Sequence, residues 1–148
     1  MSTFLVTGAA GFIGGAIAKK LINEGNRVVT IDNLSTGIRE SIPTKVQFYQ
    51  GDCGDPDIYK TLPNYKFDAI FHIAGQSSGE ISYDDPVYDL KTNTESTLHL
   101  LQFAIRKKCN RFIYASTMSV YGEHPETSIN ENMICSPRSF YGVGKLAS

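Results

Sequence analysis

A glycine-rich turn near the start of the chain limits the possible folds more than any other feature of the sequence. Residues 7–14 read TGAAGFIG, after a short apolar run at residues 4–6 and before an apolar pattern of helical period. At this spacing Gly8 permits a tight turn, Gly11 lets the backbone approach a pyrophosphate, and Gly14 lets a helix pack closely on a strand. Backbone amides at the helix start would face the anion, aided by the helix dipole. The pattern predicts a strand–turn–helix unit that binds a dinucleotide.

Strand-like and helix-like segments alternate along the chain. Short β-branched and apolar runs predict strands at residues 4–6, 27–31, 45–49, 67–73 and 111–115. Helical periodicity predicts helices at residues 12–23, 56–62 and 87–107. Leu90, Leu98, Leu101 and Ile105 share one face of the longest of these. This alternation favours parallel strand pairing through right-handed crossovers, and hence a doubly wound α/β sheet.

The stretch at residues 122–139 has a different character. It contains Pro125, Pro137 and many polar residues, which predicts a long loop. Loops of this length are usually functional or disordered.

Asp32 gives the first indication of which dinucleotide is bound. It ends the predicted second strand, 18 residues after Gly14. A carboxylate at this position accepts hydrogen bonds from the adenosine ribose hydroxyls and repels a 2′-phosphate. The sequence therefore favours NAD over NADP, although Arg39 lies near enough in sequence to weaken that preference.

Composition excludes several other classes of protein. Fourteen basic and fifteen acidic residues give a net charge of −1 without a block of like charges, so nothing indicates nucleic acid or an anionic membrane. No segment has the length of a membrane span or a signal peptide, and we expect a cytoplasmic protein. The histidines and cysteines lack the spacing of a metal site, so we expect no metal and mainly structural roles for His72, His99, His124, Cys53, Cys109 and Cys135.

Seven short motifs occur in a fixed order. They are residues 7–14, DNLSTG at 32–37, GD at 51–52, HIAGQ at 72–76, Asn93, STMSVYG at 116–122 and YGVGK at 141–145. With these motifs the whole chain resembles the extended short-chain dehydrogenase/reductase family, and within it the NAD-dependent nucleotide-sugar epimerase/dehydratase group. The resemblance implies a Rossmann-type doubly wound parallel sheet with strand order 3-2-1-4-5.

The resemblance also implies which residues bind the cofactor. One group packs under the pyrophosphate, a second surrounds the adenosine ribose and adenine, and a third lines the middle and the nicotinamide end. The first group is Gly8, Gly11, Phe12, Ile13 and Gly14. The second is Asp32, Asn33, Leu34, Ser35, Thr36 and Gly37, with Asp52 on the adenine amino group and Cys53 beside it. The third is Ala74, Gly75, Gln76, Asn93, Ser116, Tyr141 and Lys145.

Three residues are candidates for catalysis. Tyr141 and Lys145 are four residues apart, so on a helix they share a face. The positive charge of Lys145 favours the phenolate and makes Tyr141 a usable base near neutral pH. In the family pattern the catalytic Ser or Thr lies four residues before a Tyr-Gly pair, which here selects Thr117 and leaves Ser116 as a cofactor contact. The implied reaction is a transient oxidation of a sugar hydroxyl.

The residues after Thr117 discriminate among the family's reactions. The resembling 4,6-dehydratases carry an Asp-Glu pair there, and the decarboxylases carry a Glu two residues before the Tyr-Gly pair. This chain has Met118 and Ser119. We therefore expect an NAD-dependent epimerase that acts at C4 of a nucleoside-diphosphate hexose through a keto sugar. A dehydratase or reductase of the same family, and a non-catalytic NAD-binding module, remain the alternatives.

The resembling enzymes are considerably longer than this chain. Residues 1–148 are expected to form an incomplete NAD-binding domain, truncated before the C-terminal strands and the lobe that binds the nucleotide sugar. The fragment alone should be inactive. The resemblance further implies a homodimer in the full-length protein, formed through the helix at residues 87–107 and the helix of Tyr141.

Overall fold

The structure is a computed structural model that describes residues 1–124 and 128–148. Their contacts divide into two compact units, residues 1–74 with 96–115, and residues 75–95 with 116–148. The helices, in chain order, are α1 (Phe12–Asn23), α2 (Ile58–Thr61), α3 (Ile81–Asp84), α4 (Pro86–Leu90), α5 (Ser96–Arg106) and α6 (Phe140–Ala147). Single 3-10 turns occur at Arg39–Ser41 and Met118–Val120.

The first unit is built on a five-stranded, fully parallel sheet. Its strands are β1 (Thr3–Thr7), β2 (Arg27–Asp32), β3 (Gln47–Gln50), β4 (Ala69–His72) and β5 (Phe112–Tyr114). Their order is β3-β2-β1-β4-β5, and every neighbouring pair is parallel. The predicted fold class and strand order are confirmed. β3 begins two residues later than predicted, because Val46 is held in a turn by its hydrogen bond to the carbonyl of Pro43.

Both faces of this sheet are covered. Neighbouring strand residues point to opposite faces, and Leu5 belongs to one buried cluster while Val6 belongs to another. The Leu5 cluster includes Leu100 and Phe103 of α5, whereas the Val6 cluster includes Ala18 of α1. Helices on both faces of a parallel sheet are the defining property of a doubly wound fold.

The predicted helix at residues 87–107 is interrupted. It consists of α4, a π-helical segment at Lys91–Glu95, and α5. Leu100, Phe103 and Ala104 form the buried side of α5, while Leu98 and Ile105, which the sequence analysis placed together on one face, are exposed. π segments inside α-helices are rare and frequently mark functional sites.

The second unit is formed by α3, α4, the π segment, the turn at Met118–Val120 and α6. Asp85 caps α4 by accepting a hydrogen bond from the amide of Tyr88, and Ser139 caps α6 through the amide of Gly142. The hydroxyl of Thr94 donates to the carbonyl of Gly144, which ties the π segment to α6.

The sequence analysis did not predict α3 but correctly predicted an irregular segment before α6. No helix or strand occurs at residues 122–124 or 128–138. Pro125, which contributed to that prediction, lies outside the described residues. Within the described part of the chain, no helix has the length and apolar character needed to cross a membrane.

Candidate active site

The glycine turn after β1 has the geometry that its sequence predicts. A Cβ at Gly8, which has φ of +74°, would lie 2.8 Å from the backbone nitrogen of Ala74. A Cβ at Gly14 would collide with the carbonyl oxygen of Gly8, so α1 begins in direct contact with the turn. The start of α1 has no side-chain cap and no acidic residue in its first turn, and Phe12 is 94% exposed. The backbone amides at the start of α1 are therefore available to an anionic group.

Asp32 is buried at the carboxyl end of β2 and is fixed by two backbone amides. One carboxylate oxygen accepts a hydrogen bond from the Ala10 amide at 2.9 Å, and the other accepts from the Leu34 amide at 2.8 Å. Because each carboxylate oxygen can accept more than one hydrogen bond, Asp32 retains acceptor capacity for hydroxyl groups. The first contact places the carboxylate directly beside the glycine turn.

The predicted adenine-side residues also lie together. The side-chain amide of Asn33 donates to Asp52 at 2.9 Å, and the other Asp52 oxygen accepts from the Gly54 amide at 2.7 Å. Asp52 lies two residues beyond the end of β3. Burial raises the pKa of the Cys53 thiol to about 12, with the nearby Asp52 and Asp32 carboxylates adding to the effect. The thiol is therefore neutral and unreactive at physiological pH.

A buried network behind the turn was missed by the sequence analysis. The hydroxyl of Thr7 accepts hydrogen bonds from the amides of Ile73 and Ala74, each at 3.0 Å. The same hydroxyl is hydrogen-bonded to Nδ1 of His72 at 2.8 Å, and Nε2 of His72 is hydrogen-bonded to the Ser96 hydroxyl at 3.3 Å. This arrangement gives His72 a structural role that joins the ends of β1 and β4.

In the second unit, α6 presents Tyr141 and Lys145 on one buried face. Their relative exposures are 8% and 6%, and the Lys145 ammonium nitrogen lies 5.9 Å from the centre of the Tyr141 ring. Burial lowers the pKa of Lys145 to about 8, and the charge of Asp89 acts in the opposite direction. Lys145 is thus still mainly protonated at pH 7, next to the phenol that it was predicted to assist.

Thr117 lies in a turn that packs against the first turn of α6. Its hydroxyl accepts from the Ser119 amide at 3.2 Å and caps the 3-10 turn. A Cβ at Gly142, the residue after Tyr141, would lie 2.7 Å from the carbonyl oxygen of Ser119. The fold therefore brings the Thr117 turn against the helix that carries Tyr141. Ser116 precedes this turn and is exposed.

Gly75, Gln76 and Asn93 lie around Lys145. A Cβ at Gly75 would collide with Oδ1 of Asn93 and lie 3.4 Å from the Lys145 nitrogen. The side-chain amide of Asn93 donates to the backbone carbonyl of Gln76 at 3.1 Å. Four residues from three separate motifs are thus in mutual contact within the second unit.

With this geometry established, the comparison with known proteins decides the family. Residues 4–148 match the sequence profile of the NAD dependent epimerase/dehydratase family. The chain belongs to this family.

The chain is similar to curated family members along nearly its whole length. It is 37% identical to the UDP-glucose 4-epimerase of Mycolicibacterium smegmatis over 97% of this chain and 48% of the relative. It is 35% identical to the UDP-glucose 4-epimerase of Streptomyces lividans over 97% of this chain and 44% of the relative. The chain thus spans about half the length of these relatives.

Solved structures of the family show the same fold. The UDP-glucose 4-epimerase of Thermotoga maritima, determined with UDP-glucose, superimposes with a TM-score of 0.93 at 36% identity. The Thermus thermophilus enzyme, determined with NAD, also gives a TM-score of 0.93, at 35% identity. In each case the match covers 98% of this chain and 48% of the solved chain.

One further buried residue near Lys145 was not predicted from the sequence of this chain. Asp89 on α4 is 1% exposed, and its Oδ1 accepts hydrogen bonds from the side-chain amides of Gln76 at 2.9 Å and Asn93 at 3.2 Å. No local signal in the sequence marks Asp89, because an acidic residue in an amphipathic helix ordinarily faces solvent.

Proposed function

We propose that residues 1–148 supply the NAD-binding half of an epimerase that inverts C4 of a nucleoside-diphosphate hexose. The observation that carries this proposal is the buried pair of Tyr141 and Lys145 on one face of α6, beside Gly75, where an added Cβ would meet both Asn93 and the lysine nitrogen. The similarity to UDP-glucose 4-epimerases supports it and makes UDP-glucose the first substrate to test.

The residues of the chain fit NAD. The uncapped start of α1 suits a pyrophosphate, and the Gly8–Gly14 contact keeps this end of the helix free of side chains that would fill the space. A 2′-phosphate beside the Asp32 carboxylate would be repelled, which favours NAD over NADP. When bound, NAD supplies a reversible acceptor for hydride.

The catalytic work of the chain itself is proton transfer and orientation. Tyr141 takes the proton of the sugar hydroxyl and later returns it. The Lys145 ammonium lies on the same buried face of α6, 5.9 Å from the centre of the phenol ring, where its positive charge favours negative charge that develops on Tyr141 in the reaction. Thr117 presents its hydroxyl to the same substrate oxygen. Alignment of these groups with the cofactor lowers the entropic part of the barrier.

The residues after Thr117 argue against elimination of water. Met118 is apolar and 61% exposed, and the Ser119 hydroxyl accepts a hydrogen bond from the Thr117 hydroxyl at 3.3 Å. Neither side chain is an acid or base that could remove a proton from carbon and deliver another to the departing hydroxyl. Epimerisation requires no such group in this turn, because the same hydride and the same proton are returned.

The test uses a polypeptide that carries this chain together with a substrate-binding half. We expect conversion of UDP-glucose to its C4 epimer with NAD bound, and a decrease of about 10² to 10⁴ in kcat for Tyr141→Phe. The control is Tyr88→Phe, which removes a phenol hydroxyl from a partly exposed ring on α4 and should keep wild-type activity. A 4-keto-6-deoxy product would contradict the assignment of reaction. Binding of NAD without any turnover would favour a non-catalytic binding module.

The same proposal includes self-association through α4 and α6. Val87 and Leu90 on α4 and Val143 and Leu146 on α6 are all about half exposed, an unusual set of apolar side chains for two short helices. An apolar patch of this kind marks an interaction surface, and the family resemblance implies pairing of these helices in a homodimer. Light scattering should detect a dimer, and Leu90→Glu should shift it towards the monomer. A wild-type protein that stays monomeric over a wide concentration range would contradict this part of the proposal.

A further inference from the structure

Asp89 is a buried carboxylate for which the proposed chemistry has no direct use. Its Oδ1 is occupied by the side-chain amides of Gln76 and Asn93. Its Oδ2 is also buried, has no hydrogen-bond partner among the described residues, and lies against α6, where a Cβ at Gly144 would be 3.3 Å away. Asp89 is therefore enclosed by the residues that surround Lys145.

A carboxylate in this place is expensive for the fold. Burial of a charged group costs several kcal/mol unless a partner compensates it, and Asp also has low helix propensity. Burial raises the pKa of Asp89, while the two amide donors and the charge of Lys145 lower it. The lysine experiences the reciprocal effect, since burial lowers the pKa of Lys145 and Asp89 raises it. The two charges thus stabilise each other in an otherwise unfavourable environment.

The side chains that Asp89 contacts are those that define the position of Lys145. Gln76 and Asn93 are held by hydrogen bonds to the same carboxylate oxygen, and a Cβ added at Gly75 would meet both Oδ1 of Asn93 and the Lys145 nitrogen, so these groups border one small space. Because Asp89 itself is shielded by the two amides and by α6, it has no path to a substrate atom. Asp89 therefore acts on the side chains that it contacts and not on the substrate.

We propose that Asp89 is a positioning residue, which fixes the side-chain amides of Gln76 and Asn93 and through them holds Lys145 in place beside Tyr141. This inference rests on the proposed function only in so far as Lys145 acts in catalysis. The coupling between Asp89 and Lys145 is a property of the chain alone and can be measured without turnover.

The test is competitive acetylation of lysines in the 148-residue chain, followed by mass spectrometry between pH 6 and 11. Lys19 and Lys20, both exposed on α1, serve as internal references. In Asp89→Asn the pKa of Lys145 should fall below its wild-type value of about 8, and acetylation of Lys145 at pH 7 should become several-fold faster. Asp84→Asn removes an exposed carboxylate at the end of α3, and it should leave the acetylation rate of Lys145 unchanged. Labelling of Lys145 in Asp89→Asn within twofold of the wild type would overturn the proposal.

Misfolding of Asp89→Asn would be visible as labelling of Lys145 at the rate of the reference lysines. A reciprocal measurement, which does not use Asp89→Asn, protects the test against this outcome. The Asp89 carboxyl carbon is followed by NMR in the wild type and in Lys145→Met. The pKa of Asp89 should be higher in Lys145→Met, because the lysine charge no longer opposes the effect of burial. An unchanged Asp89 titration would likewise overturn the proposal.

Activity separates this inference from the proposed function. In a catalytically competent polypeptide, Asp89→Asn should lower kcat about tenfold or more, leave KM for the nucleotide sugar nearly unchanged, and shift the pH profile of kcat. A normal kcat and pH profile together with altered Lys145 labelling would overturn the positioning role. Altered labelling in a protein whose wild type binds NAD without turnover would contradict the proposed function and leave the charge coupling established.

Discussion

Gly14→Ala sets two physical effects of opposite sign against each other. Gly14 is the third residue of α1, and in a helix the change from Gly to Ala normally stabilises by about 0.5 to 1 kcal/mol. The close contact with the turn opposes this gain. A Cβ at Gly14 would collide with the carbonyl oxygen of Gly8 and lie 2.6 Å from its carbonyl carbon and 3.1 Å from the Ala9 nitrogen.

The contact with the turn should dominate. All three atoms belong to the backbone, so no side chain can rotate away, and α1 must move outward as a whole. Forced overpacking of this kind typically costs about 1 to 3 kcal/mol, and the collision with a backbone peptide unit that cannot rotate away places Gly14 at the upper end of that range. After the helix-propensity gain is subtracted, we expect a net loss of about 2 kcal/mol in the free energy of unfolding.

The assay is urea unfolding followed by circular dichroism, together with titration by NAD. Gly25→Ala is the matched control, because φ at Gly25 is +79° while a Cβ there would have no atom within 4 Å. It should lose about 1 kcal/mol from the left-handed backbone alone and bind NAD as the wild type does. Gly14→Ala should lose stability and also bind NAD more weakly, because the start of α1 is displaced. A Gly14→Ala protein as stable as the wild type would refute the steric reasoning.

Two further predictions concern buried polar groups. Thr7→Val keeps the shape of the side chain but leaves two backbone amides at the end of β4 without their acceptor, so we expect a loss of about 1 to 3 kcal/mol in urea unfolding; Thr7→Ser keeps the hydroxyl and should lose less, and equal losses would contradict the hydrogen-bond argument. Lys145 has a folded-state pKa of about 8 against an ordinary value of 10.5, so its charged form is penalised by folding below pH 8 and the penalty is relieved as pH rises from about 8 to 10.5. The wild type should therefore gain up to about 3 kcal/mol relative to Lys145→Met over that range, and parallel pH dependences of the two proteins would contradict the lowered pKa.

Local patterns in the sequence predict the first unit well. The glycine turn, the flanking strand and the periodicity of α1 all lie within residues 3–23, and each depends on residues near one another in the chain. The alternation of strands and helices indicates a parallel sheet with right-handed crossovers, and the family resemblance supplied the strand order. The bounds of β3 were less accurate, above all its start, since the signal for a short strand does not distinguish its first and last residues from the turns that flank it.

The second unit was less predictable because its structure depends on distant pairs. The sequence gives no local reason for a π segment at Lys91–Glu95, where Asn93 turns inward to reach both Gln76 and Asp89. Asp89 was missed because an acidic residue in an amphipathic helix ordinarily faces solvent, and only the amides from another segment reveal its burial. The first unit has one contact of the same kind, because the Thr7–His72 pair joins residues 65 positions apart. Such contacts are decided by the assembled fold rather than by neighbours in the chain.

The turn at Met118–Val120 shows how one fold can serve several reactions of the family. Thr117 caps this turn with its own hydroxyl, and Ser119 packs its backbone carbonyl against Gly142. These contacts depend on Thr117 and on main-chain atoms, and the Ser119 hydroxyl accepts a further hydrogen bond from Thr117, so none of them needs the side chain at position 118. The position that would carry an acid in an eliminating enzyme is largely exposed at Met118, and its side chain contributes little to the packing of the unit. Positions that are held in place by the fold but are not required for its stability are free to specify the chemistry. The reaction inferred from Met118 and Ser119 is therefore independent of the fold inferred from the glycine turn.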